Sequence, residues 1–452
     1  MRRSDSRRRR SSANWRRYCG NETPSWPETE GIIMIVVLSG LRSMLEDVLA
    51  EQRVPHITLI PANAVADYRP AGDEFPRKVV ADWEDYNALL SAAAQLEPMG
   101  VTNIVTMDET AVRAAAFLRG QLGVPGQNLH DAVAFTDKAI MKDRLRQAGI
   151  PVAGHRVVHG IDNVRKAAAE VGWPIVIKPR MGFGALNTYF VEGEAQFDEL
   201  LAAGAFEPET RLPGAVRSTK VTVGLEDEYG FMVEEGIDVA HEYHCELLVF
   251  NGEVLYALPG RCAVPVLKGA GGTYGSALLE EGRTRDAIAA LAGRAASALA
   301  LETGFVHCEL LEDRSGRLLV GELGCRPGGA MIPHMLKLQH GVDVPAIQAS
   351  LARGVEPRID WKSSGSVVAL RGVPADAGRV IDVTGVEEVR SMPGVVDVVQ
   401  ILKTGDTSLG SVGTANFAGF VFCEGRTSGE ASERAAAAAA RWQVVVEPTT
   451  SH

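Results

Sequence analysis

The chain has 452 residues, 46% of them apolar and 23% charged, which is too long for one ordinary core and too apolar for a disordered polymer. No apolar run approaches the roughly 20 residues of a membrane-spanning helix, and the six cysteines form no C-x-x-C pair, so neither a disulfide scaffold nor a zinc knuckle is expected. The net charge of −11 argues against duplex nucleic acid as a partner. Reduced cytosol is the expected compartment. Residues 1–30 run against the trend, with eight arginines and four acids. They read as a disordered basic arm or an over-extended start, and a nucleic-acid role would rest on residues 1–17 alone.

From Met34 the pattern alternates strand and helix. Ile35–Leu38 is a β-branched run, Met44, Leu45, Val48 and Leu49 mark a helical face, and His56–Ile60 and Val101–Thr106 read as strands. Such alternation predicts a parallel sheet in an N-terminal α/β domain over 34–130. A helix over Asp137–Ala148 is closed by Gly149 and Pro151. A second helical stripe, Val164 to Val171, precedes a short apolar strand that delivers Lys178 into a loop carrying Gly182 and Gly184. Phe206–Gly230 is polar and reads as a connection. Phe231–Glu235 and Tyr243–Phe250 read as strands, and Asn251-Gly252 predicts a hairpin into Glu253–Leu258. A helix through Ile288, Leu291, Ala295 and Leu299 follows, then two strands around Ser315-Gly316. After Gly354 the strands Ser366–Leu370, Val395–Ile401 and Ala418–Cys423, an alanine-rich helix and the strand Gln443–Val446 suggest a small α+β module over 360–447, serving as a lid or as a homodimer surface.

The chemistry concentrates in Phe305-Val-His307-Cys-Glu309 through Glu322-Leu-Gly324-Cys-Arg326-Pro-Gly-Gly329. With a two-residue or symmetric four-residue loop at Ser315-Gly316, Glu309 lies opposite Glu322 and His307 opposite Gly324; a three-residue loop would break that pairing. Two carboxylates about 5 Å apart repel each other. The pair makes sense with one acid protonated, with a cation between them, or with both in open water. Oxygen-only ligands suit a hard cation, Mg²⁺ first and Mn²⁺ second. The plain alternative is a solvated hairpin with surface acids, but the two strands are otherwise apolar on both faces. Lys178 before a glycine loop is a candidate phosphate clamp, because glycines let backbone N–H groups approach anions; the Walker A spacing is absent. Lys138 reads either as a phosphate ligand or as a solvated helix residue.

The order of these pieces resembles the ATP-grasp superfamily, specifically its carboxylate–amine ligases of the L-amino-acid-ligase type, from about Met34 to Val446. The residues that carry the resemblance are Phe135-Thr-Asp-Lys138-x-x-Met-Lys-x-x-Leu-x-x-Ala-Gly-Ile-Pro151, Ile175-Val-Ile-Lys178-Pro, Val233-Glu234-Glu235 with Glu242 beyond, and His307-Cys-Glu309 through Arg326. The resemblance implies a two-lobed ATP-grasp domain, with a lid lobe over 131–230 and a metal and substrate lobe over 231–355. It implies that Lys138 and Lys178 contact ATP phosphates under the Gly182–Gly184 loop. Glu234 and Glu235 would lie in the strand facing the adenine, with Glu242 at the ribose. Glu309 and Glu322 would be Mg²⁺ ligands, and Arg326 would steady the transferred phosphoryl group. The family usually reads Glu-x-Asn-x-Arg, and here the Asn position is Gly324, which offers no side-chain oxygen.

The implied reaction phosphorylates a small carboxylic acid, an amino acid by preference, and couples it to an amine with release of ADP and phosphate. Positioning and charge neutralisation supply the catalysis. No Ser-His-Asp or Cys-His nucleophile is evident. Ala330, Met331 and His334 are expected on the acceptor side, and Arg261 with Lys268–Tyr274 in a cationic substrate loop. His241 and His244, three apart on a strand, face opposite sides and are not read as a zinc pair. Two alternatives stay open: a thiol or carrier-protein acceptor, and a nucleotide-binding homologue that has lost turnover through Gly324. Neither membrane nor nucleic acid is expected as a partner.

Overall fold

The computed structural model describes residues 33–40, 44–65, 76–182, 184–185, 187–206, 230–268, 274–362, 365–411, 414 and 416–448. The basic arm and nearly all of the Phe206–Gly230 connection lie outside these, as do residues 269–273 of the substrate loop. The described residues fall into two compact units, 33–133 with 345–358, and 134–344 with 359–448.

In the first unit, β1 (Met34–Leu38), α1 (Met44–Glu51), β2 (His56–Pro61), β3 (Arg77–Val80), α2 (Tyr86–Leu96), β4 (Val101–Thr106) and α3 (Val112–Leu122) follow in order. The four strands form an all-parallel sheet ordered β3-β2-β1-β4. The inner strand β1 is apolar without a break because both of its faces are covered. Val36, Leu38, Ile57 and Leu59 pack with Leu89 of α2 and Leu118 of α3. Their neighbours Ile35 and Val37 point the other way, onto Leu45 and Leu49 of α1 and onto Ala349 and Ala352. The period of two thus sorts one strand into two cores.

Helix α4 (Leu129–Thr136) leads to α5 (Lys138–Gln147), the first full helix of the second unit. Strands β5 (His155–Val158), β6 (Ile175–Pro179), β7 (Tyr189–Val191) and β8 (Phe231–Glu235), with α6 (Val164–Val171) and α7 (Glu194–Ala202), make a small antiparallel sheet ordered β5-β8-β6-β7. Next come β9 (Val239–Phe250), β10 (Glu253–Cys262), β11 (Gly275–Leu278), α8 (Arg283–Ala298), β12 (Gly304–Asp313), β13 (Leu318–Gly324) and α9 (Ile332–His340). The Asn251-Gly252 turn joins β9 to β10 as the dipeptide predicts, with positive φ at both residues.

The final segment does not keep its strands apart from these. The strands β14 (Val367–Val373), β16 (Val395–Gln400) and β18 (Gly419–Gly425) extend the sheet of β9–β13 into eight strands ordered β13-β12-β9-β10-β11-β14-β18-β16. Without β14, the four-residue strand β11 would leave an open edge; the pair Ser276–Leu370 closes it. Only β15 (Ala377–Thr384), β17 (Thr407–Leu409) and β19 (Gln443–Glu447) form a sheet of their own.

Candidate active site

The candidate residues lie in the second unit, and the β12–β13 hairpin positions the central ones. Its turn differs from either loop expected from the sequence. Asp313 Oδ1 accepts from the N–H groups of Ser315 and Arg317 at 2.9 and 3.0 Å, and from the Ser315 hydroxyl at 2.6 Å. This draws the chain into a three-residue loop of Arg314, Ser315 and Gly316, closed by Asp313 and Arg317. Such a loop moves the register by one residue. A bulge at Gly321 moves it back, because two residues on β13 there oppose one on β12. The two deviations cancel, so Glu309 still faces Glu322 and His307 still faces Gly324.

Each acid of that pair is neutralised by the protein. Glu322 Oε1 is 2.7 Å from Lys138 Nζ. Lys138 is held by a capped helix start: Asp137 Oδ1 accepts from the N–H groups of Ala139 and Ile140, and its other oxygen from Arg180 at 2.5 Å. Lys138 Nζ also donates to the Gly182 carbonyl at 2.5 Å, so one buried ammonium ties α5, the glycine loop and β13 together. Glu309, 45% exposed, sits 3.6 Å from His307 Nε2. Burial opposes its ionisation, but His307, Arg326 and Lys138 hold its carboxyl down at about 2.

A second charge cluster sits on the smaller sheet. Lys178 on β6 reaches diagonally across to Glu234 on β8, with Nζ 2.9 Å from Oε2. Lys142, one helical turn after Lys138 and on the same face of α5, lies 3.3 Å from Glu234 Oε1. Lys142 is 1% exposed. The motif Lys138-x-x-Met-Lys142 assigns this lysine no task by itself, and its i, i+4 spacing from Lys138 is the signal that links the two. Glu235 points the other way, accepting from the Gly154 N–H at 3.3 Å and facing Arg317 at 3.7 Å.

Beneath the acids of the hairpin lies a group the sequence did not reveal. Glu246 on β9 is buried and accepts from His307 Nδ1 at 2.5 Å, His244 Nδ1 at 3.1 Å and the Gly328 N–H at 2.9 Å. Ser276 Oγ holds His244 Nε2 at 2.7 Å. Burial opposes the charge of His307, but Glu246 raises it to about 10, while the two imidazoles hold Glu246 far below its usual range. A Cβ on Gly328 would lie 2.7 Å from Glu246 Oε1, so only glycine lets the backbone come this close. The signal available in the sequence was the period of two along β9, which puts Glu242, His244 and Glu246 on one face. His241 faces away, as expected. Glu242 is buried and accepts from the Val266 N–H at 2.8 Å; burial and the Glu309 charge raise it to about 8.

Two family models match the chain: "L-amino acid ligase C-terminal domain 2" over residues 371–447 and "carbamoyl-phosphate synthase L chain, ATP binding domain" over 137–212. A crystal structure of an L-amino acid ligase from Bacillus licheniformis superposes with a TM-score of 0.69 at 18% identity, covering 93% of this chain and 100% of that one. The fold is that of the ATP-grasp ligases. A curated relative, an L-arginine-specific L-amino acid ligase of Bacillus subtilis, is 27% identical over 73% of this chain and 76% of its own. The biotin carboxylase domain of Hydrogenobacter thermophilus 2-oxoglutarate carboxylase, solved with MgADP, superposes at a TM-score of 0.64 and 14% identity over 91% of this chain and 90% of that one.

Within this ATP-grasp fold the expected residues divide in two. Lys138, Gly182 and Glu322 meet directly, as do Lys178 and Glu234, while Glu309 feels the charges of Lys138 and Arg326. The others have separate local partners. Arg261 on β10 is opposite Tyr243, and Lys268 ends a short 3-10 turn. Ala330 lies in a left-handed turn before α9. His334 is turned toward the C-terminal strands, with Nε2 2.6 Å from Asp397 Oδ2 and its ring against Phe422. The carboxylate pair fits a hard divalent cation: its donors are all oxygens, and both acids are partly open to solvent. The buried group His244, Glu246 and His307 also clusters within 4.8 Å, but each of its facing atoms already has a hydrogen-bond partner.

Proposed function

We propose that this chain is an ATP-dependent carboxylate–amine ligase acting on amino acids. The observation that carries this reading is the pair of ion bridges Lys138–Glu322 and Lys178–Glu234. Each sets a cation suited to phosphate against a carboxylate, so a nucleotide that arrives with a divalent ion can exchange partners with both. The γ-phosphoryl group passes to a carboxylate oxygen of the acid and ADP leaves. The amine then attacks the carbonyl carbon, the C–O bond to phosphate breaks, and the amine gives up a proton. Lys138 and Lys178 hold phosphate oxygens, Arg326 faces the charge that develops on the transferred group, and the loop of Gly182 and Gly184 covers the site against water. Mg²⁺ or Mn²⁺ held by Glu309 and Glu322 would draw negative charge off the phosphates. We assign Glu242 to the ribose, Glu234 and Glu235 to the adenine side, and Arg261, Lys268, Ala330 and His334 to the acid and amine.

No described helix is long and apolar enough to cross a membrane, and Cys245, Cys262, Cys308 and Cys423 carry free thiols. Both fit the cytoplasmic placement that we propose. We further propose that the C-terminal α+β segment serves as a lid or as a homodimer surface. The deciding experiment incubates the purified chain with ATP, Mg²⁺ and amino acids, singly and in pairs, and follows ADP, phosphate and the mass of the product. Amino-acid-dependent ADP release with a dipeptide mass supports the reading. Tight ATP binding without turnover on any substrate, unchanged in Glu322→Ala, supports instead a homologue disabled at Gly324.

A further inference from the structure

The buried carboxylate of Glu234 on β8 is shared by two ammonium ions, Lys142 on α5 and Lys178 on β6. Glu234 is 5% exposed, and it receives Lys178 at 2.9 Å on Oε2 and Lys142 at 3.3 Å on Oε1. Oε1 makes no hydrogen bond of full geometry, so the Lys142 contact is an ion pair rather than a tight bond. If Lys178 is to bind phosphate it must leave Glu234. A carboxylate stripped of its cation in this interior is costly, because breaking a buried pair by removing one partner exposes an uncompensated charge. Lys142 prevents that. It cannot follow Lys178, because it is fixed on a helix and enclosed on all sides. While both lysines are present they repel each other, and departure of Lys178 removes that repulsion and tightens the remaining pair.

We propose that Lys142 is a positioning residue for nucleotide binding: a resident counter-charge that keeps Glu234 neutralised and so releases Lys178 to the ATP phosphates. This rests on the reading of Lys178 as a phosphate ligand.

The test is a double-mutant cycle in the full chain, reading KM and Kd for Mg-ATP separately from kcat. Lys142→Met leaves Glu234 with Lys178 alone, so Lys178 is held back and ATP affinity falls about ten-fold, with most of kcat kept at saturating ATP and KM for the amino acid unmoved. In a Glu234→Gln background Lys178 has no competing carboxylate, so the same Lys142→Met change costs less than about two-fold. Lys142→Arg keeps the charge and binds ATP as tightly as the wild type or more tightly. Should Lys142→Met not fold, a ten-fold loss of ATP affinity in Lys142→Arg overturns the inference. Equal losses in both backgrounds, or none in either, overturn it too. A wild-type chain that binds no Mg-ATP sinks the ligase reading and this inference with it; wild-type binding matched by Lys142→Met sinks this inference alone.

Discussion

Lys138 Nζ lies 2.7 Å from Glu322 Oε1, so the cation expected at phosphate and the carboxylate expected at a metal ion neutralise each other across α5 and β13. The site is thus electrically closed until a ligand brings both an anion and a cation. Substrate-free protein should bind neither partner well alone. Calorimetry should show ATP affinity rising steeply when Mg²⁺ is present, whereas equal affinity without the metal would contradict the exchange.

Glu322→Gln removes one charge from that pair and one oxygen ligand from the candidate metal site. Amino-acid-dependent ADP release should fall by about 100-fold or more, the scale seen when a group stabilising transition-state charge is lost. The midpoint of urea unfolding should move far less, because Glu322 is partly exposed.

Gly324 takes the asparagine place of the Glu-x-Asn-x-Arg pattern that the sequence resembles, and space there does not forbid that side chain. A Cβ would meet Arg326 Cγ at 3.4 Å and its Nε at 3.6 Å, and the glycine φ is not positive. Gly324→Asn should therefore fold and add an amide oxygen next to the carboxylates. The Mg²⁺ concentration that half-saturates turnover should drop about three-fold or more, as expected for one added oxygen ligand. An unchanged metal dependence would mean that the shell is already complete.

Glu246 gathers two imidazoles and a backbone N–H in the interior. Glu246→Ala strands all three donors and should cost about 3–5 kcal/mol in urea unfolding, the range for breaking a buried charge pair from one side. A loss below about 1 kcal/mol, the scale of an exposed ion pair, would show that the cluster is not a structural hub.

His340 on α9 sets its ring against Trp361, and burial with the Arg285 charge lowers it from 6.5 to about 4. The unfolded chain therefore binds a proton between pH 6.5 and 4 that the folded chain refuses. This contribution is complete above pH 6.5 and is lost as pH falls toward 4. His340→Gln lacks that proton-linked loss, so its stability should decline less than the wild type's between pH 7.5 and 5. Parallel declines followed by Trp361 fluorescence would refute the assignment.

Much of this protein was legible in its residues because the relevant rules are local. Alternation of short strands with a helical face placed β1 and β2 in a parallel sheet, and strand parity gave the β12–β13 pairing. That parity put Glu309 opposite Glu322, although the loop was of the wrong length and Gly321 had to restore the pairing. The Asn251-Gly252 hairpin and the end of α5 before Gly149 followed from backbone preferences of single residues, and the ordered motifs pointed to the ATP-grasp arrangement. Tertiary structure alone decided which carboxylate each cation answers. Lys142 reaches Glu234, His244 and His307 converge on Glu246, His334 turns to Asp397, and β14 completes the sheet beside β11. These pairings join residues distant along the chain, and a buried charge takes its partner from whichever element packs against it. No periodicity within one element carries that information.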